Sequence, residues 1–391
     1  MVAVIASRSS LRLASRVDTE PSEYTFETAS GVVSPDAFRQ PELLAAEQLW
    51  EESIGRLLCP QANYGVVGTL LAERSDGVTA TESSARAAGL CRHNAAANGA
   101  GSTVDVELTI EPGAVGGRFD TVAYAPKPYT PLQIGSHYLA SSLSALRPGG
   151  SCFLAAAKHT GLGRYRDVLA RNCDTVERVA TEDGWHLLRA TRPDSVAPSS
   201  FLSERTIGTT VAGVDLELVA LPGVFAASGL DDGTRLLVET AGPALPSAGR
   251  VLDLCCGYGP VGSYVAAATD CDVRLSDDSR LATRCAERSL DATGVSGTVV
   301  TADCLRGVAG TTFDAVVCNP PTHAGTDVLS RLFDGAADVL VRSGTAWFVH
   351  HRSLDLRPLL DAFGSVERVE TGSEHVVFAA TEPLDRHPAK R

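Results

Sequence analysis

Residues 319–323 (Asn-Pro-Pro-Thr-His) are the part of this sequence whose residue types are best suited to chemistry. They follow an apolar run at 315–318 that is typical of a buried parallel strand, and two prolines end that strand because neither can donate to a ladder. The side-chain carbonyl of Asn319 and the backbone carbonyl of Pro320 are both acceptors, which suits the two hydrogens of an exocyclic amine. Taken alone, the stretch is also compatible with a simple turn after a strand.

A second chemical signal is the glycine-rich segment 253–262, Asp-Leu-Cys-Cys-Gly-Tyr-Gly-Pro-Val-Gly. It predicts a strand that runs into a tight turn and opens a helix, where Gly257 and Gly259 let a ligand approach the backbone. The spacing also fits the dinucleotide pattern G-x-G-x-x-G. Asp253, however, would repel a diphosphate. We expect it to fix the loop or to meet a cationic ligand.

Acidic residues end the next two predicted strands. Asp277, with Asp278 beside it, is placed to accept hydrogen bonds from ribose hydroxyls, although either residue could instead cap the following helix. Asp303 is placed to accept a hydrogen bond from an adenine amine. Together with the glycine loop and the Asn-Pro-Pro turn, these acids form the set that a positively charged sulfonium nucleoside requires.

These side chains need a sheet that brings the carboxyl ends of several strands together. The C-terminal half predicts strands at 250–254, 272–276, 298–301, 314–318 and 344–349, and helices at 260–268, 280–292 and 328–341. Gly294 follows the second helix in the position that a helix C-cap prefers. Strands that alternate with helices predict an α/β fold, a mostly parallel sheet with helices on both faces.

The same pattern occurs twice. Several blocks of the first half return in the same order in the second half, offset by 192–195 residues, such as Phe119-Asp120 and Phe313-Asp314. We therefore predict two copies of one fold, with a Pro-containing linker within 190–203. The copies differ at three polar positions: Cys59 for Asp253, Asn63 for Gly257, and Ala125-Pro126-Lys127 for Asn319-Pro320-Pro321. This difference predicts a catalytically silent domain at 1–194 and an active domain at 195–391.

Composition narrows the possible function classes. The 391 residues carry a formal charge of −13 and are 44% hydrophobic, which supports packed cores but gives no global attraction to phosphate. The ten cysteines lack C-x-x-C spacing, so we expect reduced thiols in a cytoplasmic protein and no metal site. No apolar run approaches the length of a membrane span. Residues 1–17 are rich in Arg and Ser and resemble a transit peptide, although a frayed N-terminus before the first strand is the preferred interpretation.

The motifs together resemble those of class I S-adenosylmethionine-dependent methyltransferases. Within that superfamily the chain is similar to the ribosomal RNA guanine-N2 methyltransferases, which join a degenerate N-terminal copy to an active C-terminal copy. Their lead-in segment is similar to residues 221–237 of this chain. The resemblance is specific over about 200–380 and covers 25–190 mainly through the duplicated architecture. It implies two tandem Rossmann-like domains with mostly parallel seven-stranded sheets, the cofactor S-adenosyl-L-methionine, and ribosomal RNA or a ribosomal subunit as partner of a monomer.

The resemblance also implies roles for individual residues. The catalytic set would be Asn319, Pro320, Pro321 and His323. The cofactor-binding set would be Asp253, Cys255, Gly257, Gly259, Asp277, Asp278, Asp303, Cys304 and Asn319.

One position departs from the family pattern. An aromatic residue that stacks on the flipped base usually follows the diproline, and here Thr322 occupies that position. Tyr258, Phe225 or Trp347 could supply the ring instead. His323 is retained, either as a contact to the target base or as a histidine at a helix start.

The expected reaction is an in-line displacement in which the target amine attacks the sulfonium methyl group. Catalysis would then come from positioning and polarity rather than from a strong base. Three alternatives stay open: methylation of a protein glutamine amide or of adenine N6, a non-catalytic RNA-binding or assembly protein, and a nicotinamide oxidoreductase. RNA binding has the weakest support in the sequence. It depends on a modest basic run in the first copy: Arg164, Arg166, Arg171, Arg189 and Arg192.

Overall fold

The computed structural model describes residues 9–17, 19, 21–195 and 201–384. The chain forms two compact units, Met1–Ser203 and Glu204–Arg391, whereas the sequence placed the boundary between 194 and 195. The predicted linker at 190–203 includes residues 196–200, and the predicted transit-like segment includes residues 1–8. Both of these stretches lie outside the described residues.

The N-terminal unit alternates strands and helices after an initial hairpin. Its strands are β1 (Ser9–Ala14), β2 (Glu23–Thr28), β3 (Arg56–Pro60), β4 (Gly77–Glu82), β5 (Val104–Leu108), β6 (Phe119–Tyr124), β7 (Leu146–Ala157), β8 (Thr175–Glu182) and β9 (Trp185–Thr191). Its α-helices are α1 (Gln40–Trp50), α2 (Val66–Leu70), α3 (Ala85–Ala97), α4 (Leu132–Ala145) and α5 (Leu162–Asn172). Strand β1 pairs antiparallel with β2, so residues 9–14 of the segment 1–17 form a strand and are not part of a frayed N-terminus.

The C-terminal unit repeats this arrangement. Its strands are β10 (Arg205–Val211), β11 (Val214–Ala220), β12 (Ala248–Leu254), β13 (Asp270–Asp277), β14 (Thr298–Thr301), β15 (Phe313–Cys318), β16 (Leu340–His351), β17 (Phe363–Thr371) and β18 (His375–Pro383). Its α-helices are α6 (Asp232–Ala241), α7 (Pro260–Ala268), α8 (Arg280–Thr293) and α9 (Thr326–Val339).

Each unit contains a seven-stranded sheet, and the two sheets have the same strand order. The order is β5-β4-β3-β6-β7-β9-β8 in the N-terminal unit and β14-β13-β12-β15-β16-β18-β17 in the C-terminal unit. The first five strands of each order are parallel, and the last two run antiparallel to their neighbours. The prediction of two tandem Rossmann-like domains with mostly parallel seven-stranded sheets is therefore confirmed.

Burial explains why the central strands form where they do. Five of the six residues in β15 are at most 2% exposed, as expected for a strand covered by helices on both faces; they are Phe313, Ala315, Val316, Val317 and Cys318. Phe313 and Phe348 join the helix α9 residue Phe333 in one apolar cluster. Helix α8 ends at Gly294, whose φ of +77° gives the left-handed C-cap that the sequence predicted.

A matching polar contact fixes the amino end of each sheet. In the N-terminal unit, Asp120 Oδ2 accepts a hydrogen bond from the backbone N–H of Arg56 at 2.7 Å. In the C-terminal unit, Asp314 Oδ2 accepts from the backbone N–H of Arg250 at 2.8 Å. Each contact joins residues near the starts of two neighbouring parallel strands, at the edge of the sheet opposite the predicted ligand site.

Candidate active site

The predicted site residues of the C-terminal unit meet at one edge of its sheet. The parallel neighbours β14, β13, β12 and β15 end within two residues of Asp303, Asp277, Asp253 and Asn319, respectively. The strand order therefore brings together residues that lie up to 66 positions apart in the sequence (319 − 253). In open parallel sheets, ligands bind at the carboxyl ends of the strands.

The segment between β12 and α7 has the backbone of a ligand-binding loop. Cys255, Gly257 and Gly259 have φ values of +61°, +55° and +86°. A Cβ added at Gly257 would meet no atom within 4 Å, whereas one at Gly259 would lie 3.0 Å from the Cβ of Ala286 on helix α8. Gly259 therefore allows the loop to pack closely against helix α8, and Gly257 leaves open space beside the backbone.

The carboxylate of Asp253 stabilises this loop through a backbone hydrogen bond. The side chain is 2% exposed, and its Oδ2 accepts a hydrogen bond from the backbone N–H of Gly262 at 2.7 Å. The pKa of Asp253 is raised to about 7, mainly by burial and less by the nearby charge of Asp277, while the hydrogen bond from Gly262 opposes the rise. A nearby cation would offset both unfavourable effects, because it favours the charged form of a carboxyl group.

Asp277 links the loop to the start of α8. One carboxylate oxygen accepts from the backbone N–H of Gly257 at 3.0 Å, and the other accepts from the backbone N–H of Ser279 at 2.9 Å. Burial raises the pKa of Asp277, and the two backbone hydrogen bonds oppose that rise. Ser279 is the N-cap of α8, since its hydroxyl accepts from Ala282 N, so neither Asp277 nor the half-buried Asp278 caps the helix.

Asp303 takes part in an ion pair that the sequence did not predict. The side chain is 6% exposed, and its Oδ2 accepts from Nη2 of Arg331 on α9 at 3.1 Å, with Arg306 Nε at 3.7 Å. This pair joins the end of β14 to the helix that follows the Asn-Pro-Pro turn. A contact from Asp303 to an adenine amine stays a prediction.

Two predicted cofactor-binding cysteines lie in unusual backbone conformations at the same edge. Cys304 has a φ of +51°, and Cys255 has a φ of +61°, values that are uncommon for residues other than glycine. A hydrogen bond to Cys318, together with burial, raises the pKa of the Cys255 thiol. Cys255 is therefore a neutral thiol within the glycine-rich loop.

The amide of Asn319 is oriented by a residue that the sequence analysis did not single out. Nδ2 of Asn319 donates to Oγ1 of Thr234 on helix α6 at 2.9 Å. Asp231 caps that helix by accepting from the backbone N–H of Thr234 at 3.1 Å. Thr234 lies within the lead-in segment 221–237, for which the sequence predicted neither the helix nor this contact.

The residues after Pro320 form a turn rather than a helix start. The backbone N–H of Ala324 donates to the carbonyl of Pro321 at 2.9 Å, and α9 begins only at Thr326. Thr322 and His323 lie exposed in this turn. His323 is therefore not a histidine at a helix start, and its contact to a target base stays a prediction.

The three rings considered as substitutes for the missing aromatic differ in exposure. Tyr258 and Trp347 are 2% and 7% exposed, whereas Phe225 is 67% exposed. Phe225 lies in the lead-in segment, which contacts the glycine loop where the hydroxyl of Tyr258 donates to the carbonyl of Gly229 at 3.2 Å. Phe225 is therefore the ring of the three that is accessible to a base.

The N-terminal unit fills the equivalent positions with its own side chains. Asn63 is 1% exposed, and its Nδ2 donates to the carbonyl of Val33 at 2.8 Å. Glu82, the counterpart of Asp277, forms a 2.6 Å ion pair with Nζ of Lys127. Glu82 also accepts from the backbone N–H groups of Asn63, Ser83 and Ser84. An internal cation thus neutralises this acid, whereas Asp277 forms no ion pair with the residues that the structure describes.

Two of the predicted basic residues have structural roles. Arg192 is 8% exposed, and its Nε donates to the carbonyl of Leu143. Arg189 lies over the ring of Phe153 and pairs with Glu52 at 3.6 Å. The exposed part of the run consists of Arg164, Arg166 and Arg171 on α5. No helix among the described residues is long and apolar enough to span a membrane.

Comparison with known proteins places these observations in a family. The profile of the family described as "Methyltransferase small domain" matches residues 23–189 and, a second time, residues 215–379. A ribosomal RNA small subunit methyltransferase C from Actinobacillus pleuropneumoniae serotype 7 is 36% identical over 172 residues, which are 42% of this chain and 52% of that protein. A protein of the same name from Pseudomonas paraeruginosa is 31% identical over 257 residues, 63% of this chain and 75% of that protein.

A solved structure resembles the whole chain. It is a T. Thermophilus 16S rRNA N2 methyltransferase in complex with AdoMet and guanosine, with a TM-score of 0.77 and 24% sequence identity. The match covers 96% of this chain and 98% of the other. At that level of identity the likeness shows the shared fold.

Proposed function

Because this chain belongs to the methyltransferase small domain family, we propose that it transfers a methyl group from S-adenosylmethionine to the N2 amine of a guanine in small-subunit ribosomal RNA. The observation that carries this proposal is the orientation of Asn319 at the sheet edge that also holds the glycine loop. The choice of ribosomal RNA and of the small subunit as the substrate follows the names of the relatives.

The geometry of Asn319 suits an amine substrate. Since its Nδ2 donates to Thr234, the amide is held in one orientation, with Oδ1 as the acceptor on its other side. The buried Pro320 adds a rigid backbone carbonyl next to it. Two acceptors aligned in this way would direct the lone pair of an amine and leave its protons hydrogen-bonded, which is catalysis by positioning.

The residues present fit a cationic nucleoside cofactor. Open space beside Gly257 allows close approach to the backbone, and the buried Asp253 and Asp277 have raised pKa values that a positive charge would lower. Gly257, Asp253 and Asp277 would hold the cofactor, with Asp277 accepting from ribose hydroxyls. When bound, S-adenosylmethionine supplies an electrophilic methyl group on a sulfonium. The protein has only to orient the amine and exclude water.

The N-terminal unit is proposed to be non-catalytic. Its Asn63 side chain occupies the position that is open at Gly257, and its Lys127 neutralises the acid equivalent to Asp277. A second positive charge beside that ion pair would be unfavourable. Methyl-donor binding is therefore expected at the C-terminal unit alone, with one donor per chain.

Phe225 is the proposed stacking ring for the target base. Base–aromatic stacking contributes roughly 1–3 kcal/mol per base, and Phe225 is 67% exposed in a segment that contacts the glycine loop. The Phe225→Ala variant should weaken RNA methylation at low RNA concentration, and Phe225→Trp should retain it. Val369→Ala is the control, since Val369 is also exposed (43%) but lies on the edge strand β17.

The decisive experiment combines donor binding with product analysis. Calorimetry should find one site per chain for S-adenosylmethionine and no heat with NAD. Small-subunit RNA treated with the protein and labelled donor should then yield N2-methylguanosine on digestion and mass spectrometry. Label on adenine N6 or on protein glutamine would contradict the proposed substrate, and absence of donor binding would contradict the proposed activity. A cytoplasmic location and a monomeric state stay predictions.

A further inference from the structure

The N-terminal unit contains a cavity that the proposed methyl transfer does not use. Its volume is about 710 Å³, within the range of roughly 300–1,000 Å³ that is typical of ligand sites. The cationic and aromatic side chains that line it are Arg39, Lys127, Tyr129, Lys158, His159 and Trp185. The chain has a net charge of −13 and only three lysines, yet two of them line this cavity. The cavity therefore brings cationic side chains together on an acidic protein.

The position of the cavity within the repeated fold is informative. Lys127 follows β6, and Lys158 follows β7. In the C-terminal unit the corresponding strands are β15 and β16, and Asn319 follows the first of these, on the side proposed for the target base. None of the residues that line the cavity comes from the loop that corresponds to the glycine loop. The N-terminal unit thus closes the half equivalent to the donor site and keeps the half equivalent to the target site open.

An aromatic side chain is held out at the rim of this cavity. Tyr129 is 100% exposed and has a φ of +64°, a conformation that is costly for a bulky residue. The buried Gln61 fixes the turn on both sides: its Oε1 accepts from the backbone N–H of Lys127 at 3.1 Å, and its Nε2 donates to Oγ1 of Thr130 at 3.0 Å. A fully exposed ring on a constrained turn is a preformed platform for stacking.

Ion pairs show which cation faces an incoming ligand. Arg39 pairs with Glu42 at 2.8 Å, and Lys127 pairs with Glu82 at 2.6 Å. Lys158 is exposed and forms no ion pair with the described residues, so it supplies the net positive charge of the cavity. A second aromatic surface lies beside it, since the rings of His159 and Trp185 pack edge to face at 5.4 Å.

The positive charge continues beyond the cavity. Gly161 lines the cavity and is the N-cap of α5, and that helix carries the exposed Arg164 and Arg166. A ligand that spans from the cavity onto α5 would meet aromatic surface first and cations next. Alternating flat rings and negative charges are the chemistry of a single-stranded nucleic acid.

We propose that this cavity of the N-terminal unit binds a nucleotide of single-stranded RNA, with the base on Tyr129 and the phosphate on Lys158. The assignment of RNA as the polyanion rests on the proposed function, whereas the cavity and its charges do not. The N-terminal copy would then hold the substrate strand while the C-terminal copy methylates it.

The test measures RNA binding directly in the full-length chain. The probe is a fluorescein-labelled single-stranded RNA of twelve nucleotides and mixed sequence, and the readout is fluorescence anisotropy at low salt. The Tyr129→Ala variant should raise the dissociation constant by about 5- to 100-fold, since one stacked base is lost. Tyr129→Phe keeps the ring and should bind like the wild type.

A charge reversal tests the phosphate contact. The Lys158→Glu variant should weaken binding at least fivefold and lower the salt slope of log K by about 0.7, the value for one phosphate contact on a single strand. Arg118→Glu is the matched control, because it makes the same charge change at the exposed residue before β6, at the opposite edge of the sheet. It should change binding by less than twofold.

Two outcomes overturn the proposal. Lys158→Glu and Arg118→Glu could weaken binding equally, which would show a general charge effect, or Tyr129→Ala could bind like the wild type. Methyl transfer to small-subunit RNA, measured separately, distinguishes this proposal from the proposed function. If only the cavity proposal fails, small-subunit RNA is methylated while binding of the probe is unchanged by both substitutions. If only the methylation proposal fails, both substitutions weaken binding of the probe while small-subunit RNA is never methylated.

Discussion

The two units of this chain place an acid at the same position of the same sheet and surround it in opposite ways. Glu82 of the N-terminal unit is paired with Lys127, whereas Asp277 of the C-terminal unit accepts only backbone hydrogen bonds among the contacts described. The charge of Glu82 is already balanced by Lys127. The buried Asp277 has a raised pKa instead, and a bound cation would stabilise its ionised form. This difference supports the proposal that only the C-terminal unit binds a cationic cofactor.

The largest expected effect follows from the amide that only the C-terminal unit carries at this position. Asn319→Ala should lower kcat for RNA methylation by about 100-fold or more, since the amine loses its positioning acceptor. The affinity for S-adenosylmethionine in calorimetry should stay within about twofold of the wild type. Asn172→Ala on α5 makes the same chemical change outside the site and should leave both kcat and donor affinity unchanged. Equal losses of turnover and of donor affinity would show that Asn319 is structural.

The second prediction concerns the internal cation of the N-terminal unit. Lys127→Ala should lower the free energy of unfolding by about 2 kcal/mol, because the fully buried Glu82 keeps its backbone donors but loses its charged partner. Urea unfolding followed by tryptophan fluorescence measures this loss. The exposed Lys158 provides the control, and Lys158→Ala should change stability by less than about 0.5 kcal/mol. Equal stability of the two variants would contradict the comparison between the units.

The third prediction tests how Asn319 is oriented. Thr234→Val keeps the shape of the side chain but removes the hydroxyl that accepts from Asn319, so kcat should fall by about tenfold. Thr234→Ser keeps the hydroxyl and should retain most of the activity. Both variants are assayed at saturating RNA and donor, so that kcat is separated from binding. Normal turnover of the Thr234→Val variant would show that Thr234 does not contribute to the orientation of Asn319.

The smallest expected effect is on the pH dependence of donor binding. The pKa of Asp253 is about 7 in the folded protein without donor, and a bound cation would lower it, so binding releases a proton. Donor affinity should therefore rise from pH 6 to pH 8 on the order of fivefold. Calorimetry in buffers of different ionisation enthalpy measures the affinity and the released proton together. An affinity that is constant or falls over this range would contradict a cation near Asp253.

Stability should change with pH in the opposite direction. The folded pKa of Asp253 lies above the ordinary value of an aspartate, so its contribution to stability is complete below about pH 4 and is lost as the pH rises through about 7. The contribution of Asp253 to the stability of the donor-free protein should therefore be larger at pH 5 than at pH 8. Added donor should reduce the difference.

Local sequence signals were sufficient for the parallel core. Helix α7 occupies residues 260–268 and strand β14 residues 298–301, as predicted, because Pro260, the glycine turn and the apolar runs are all local. Strand β16 begins at Leu340, four residues before its predicted start, and α9 begins at Thr326 rather than at 328. Such boundaries depend on capping and packing contacts that a periodic pattern does not encode.

The site was predictable in position but not in its contacts. The motifs placed Asp253, Asp277 and Asn319 at one sheet edge, since each follows or ends a parallel strand. The contact of Asn319 with Thr234 joins residues 85 positions apart, and that of Asp303 with Arg331 spans 28 positions. No periodicity or spacing encodes such pairs. The cavity beside Tyr129 likewise arises where segments from distant parts of the N-terminal unit converge.

The duplicated hydrogen bonds of Asp120 and Asp314 have a consequence for protein engineering. Each carboxylate aligns two strands at the amino edge of its own sheet, by bonding to Arg56 or Arg250. Loops at the carboxyl edge can therefore be exchanged between the copies without disturbing how the strands line up. Transplanting residues 319–323 into the first copy, or its counterpart into the second, should give soluble chimeras in which the scaffold is constant and only the chemistry changes.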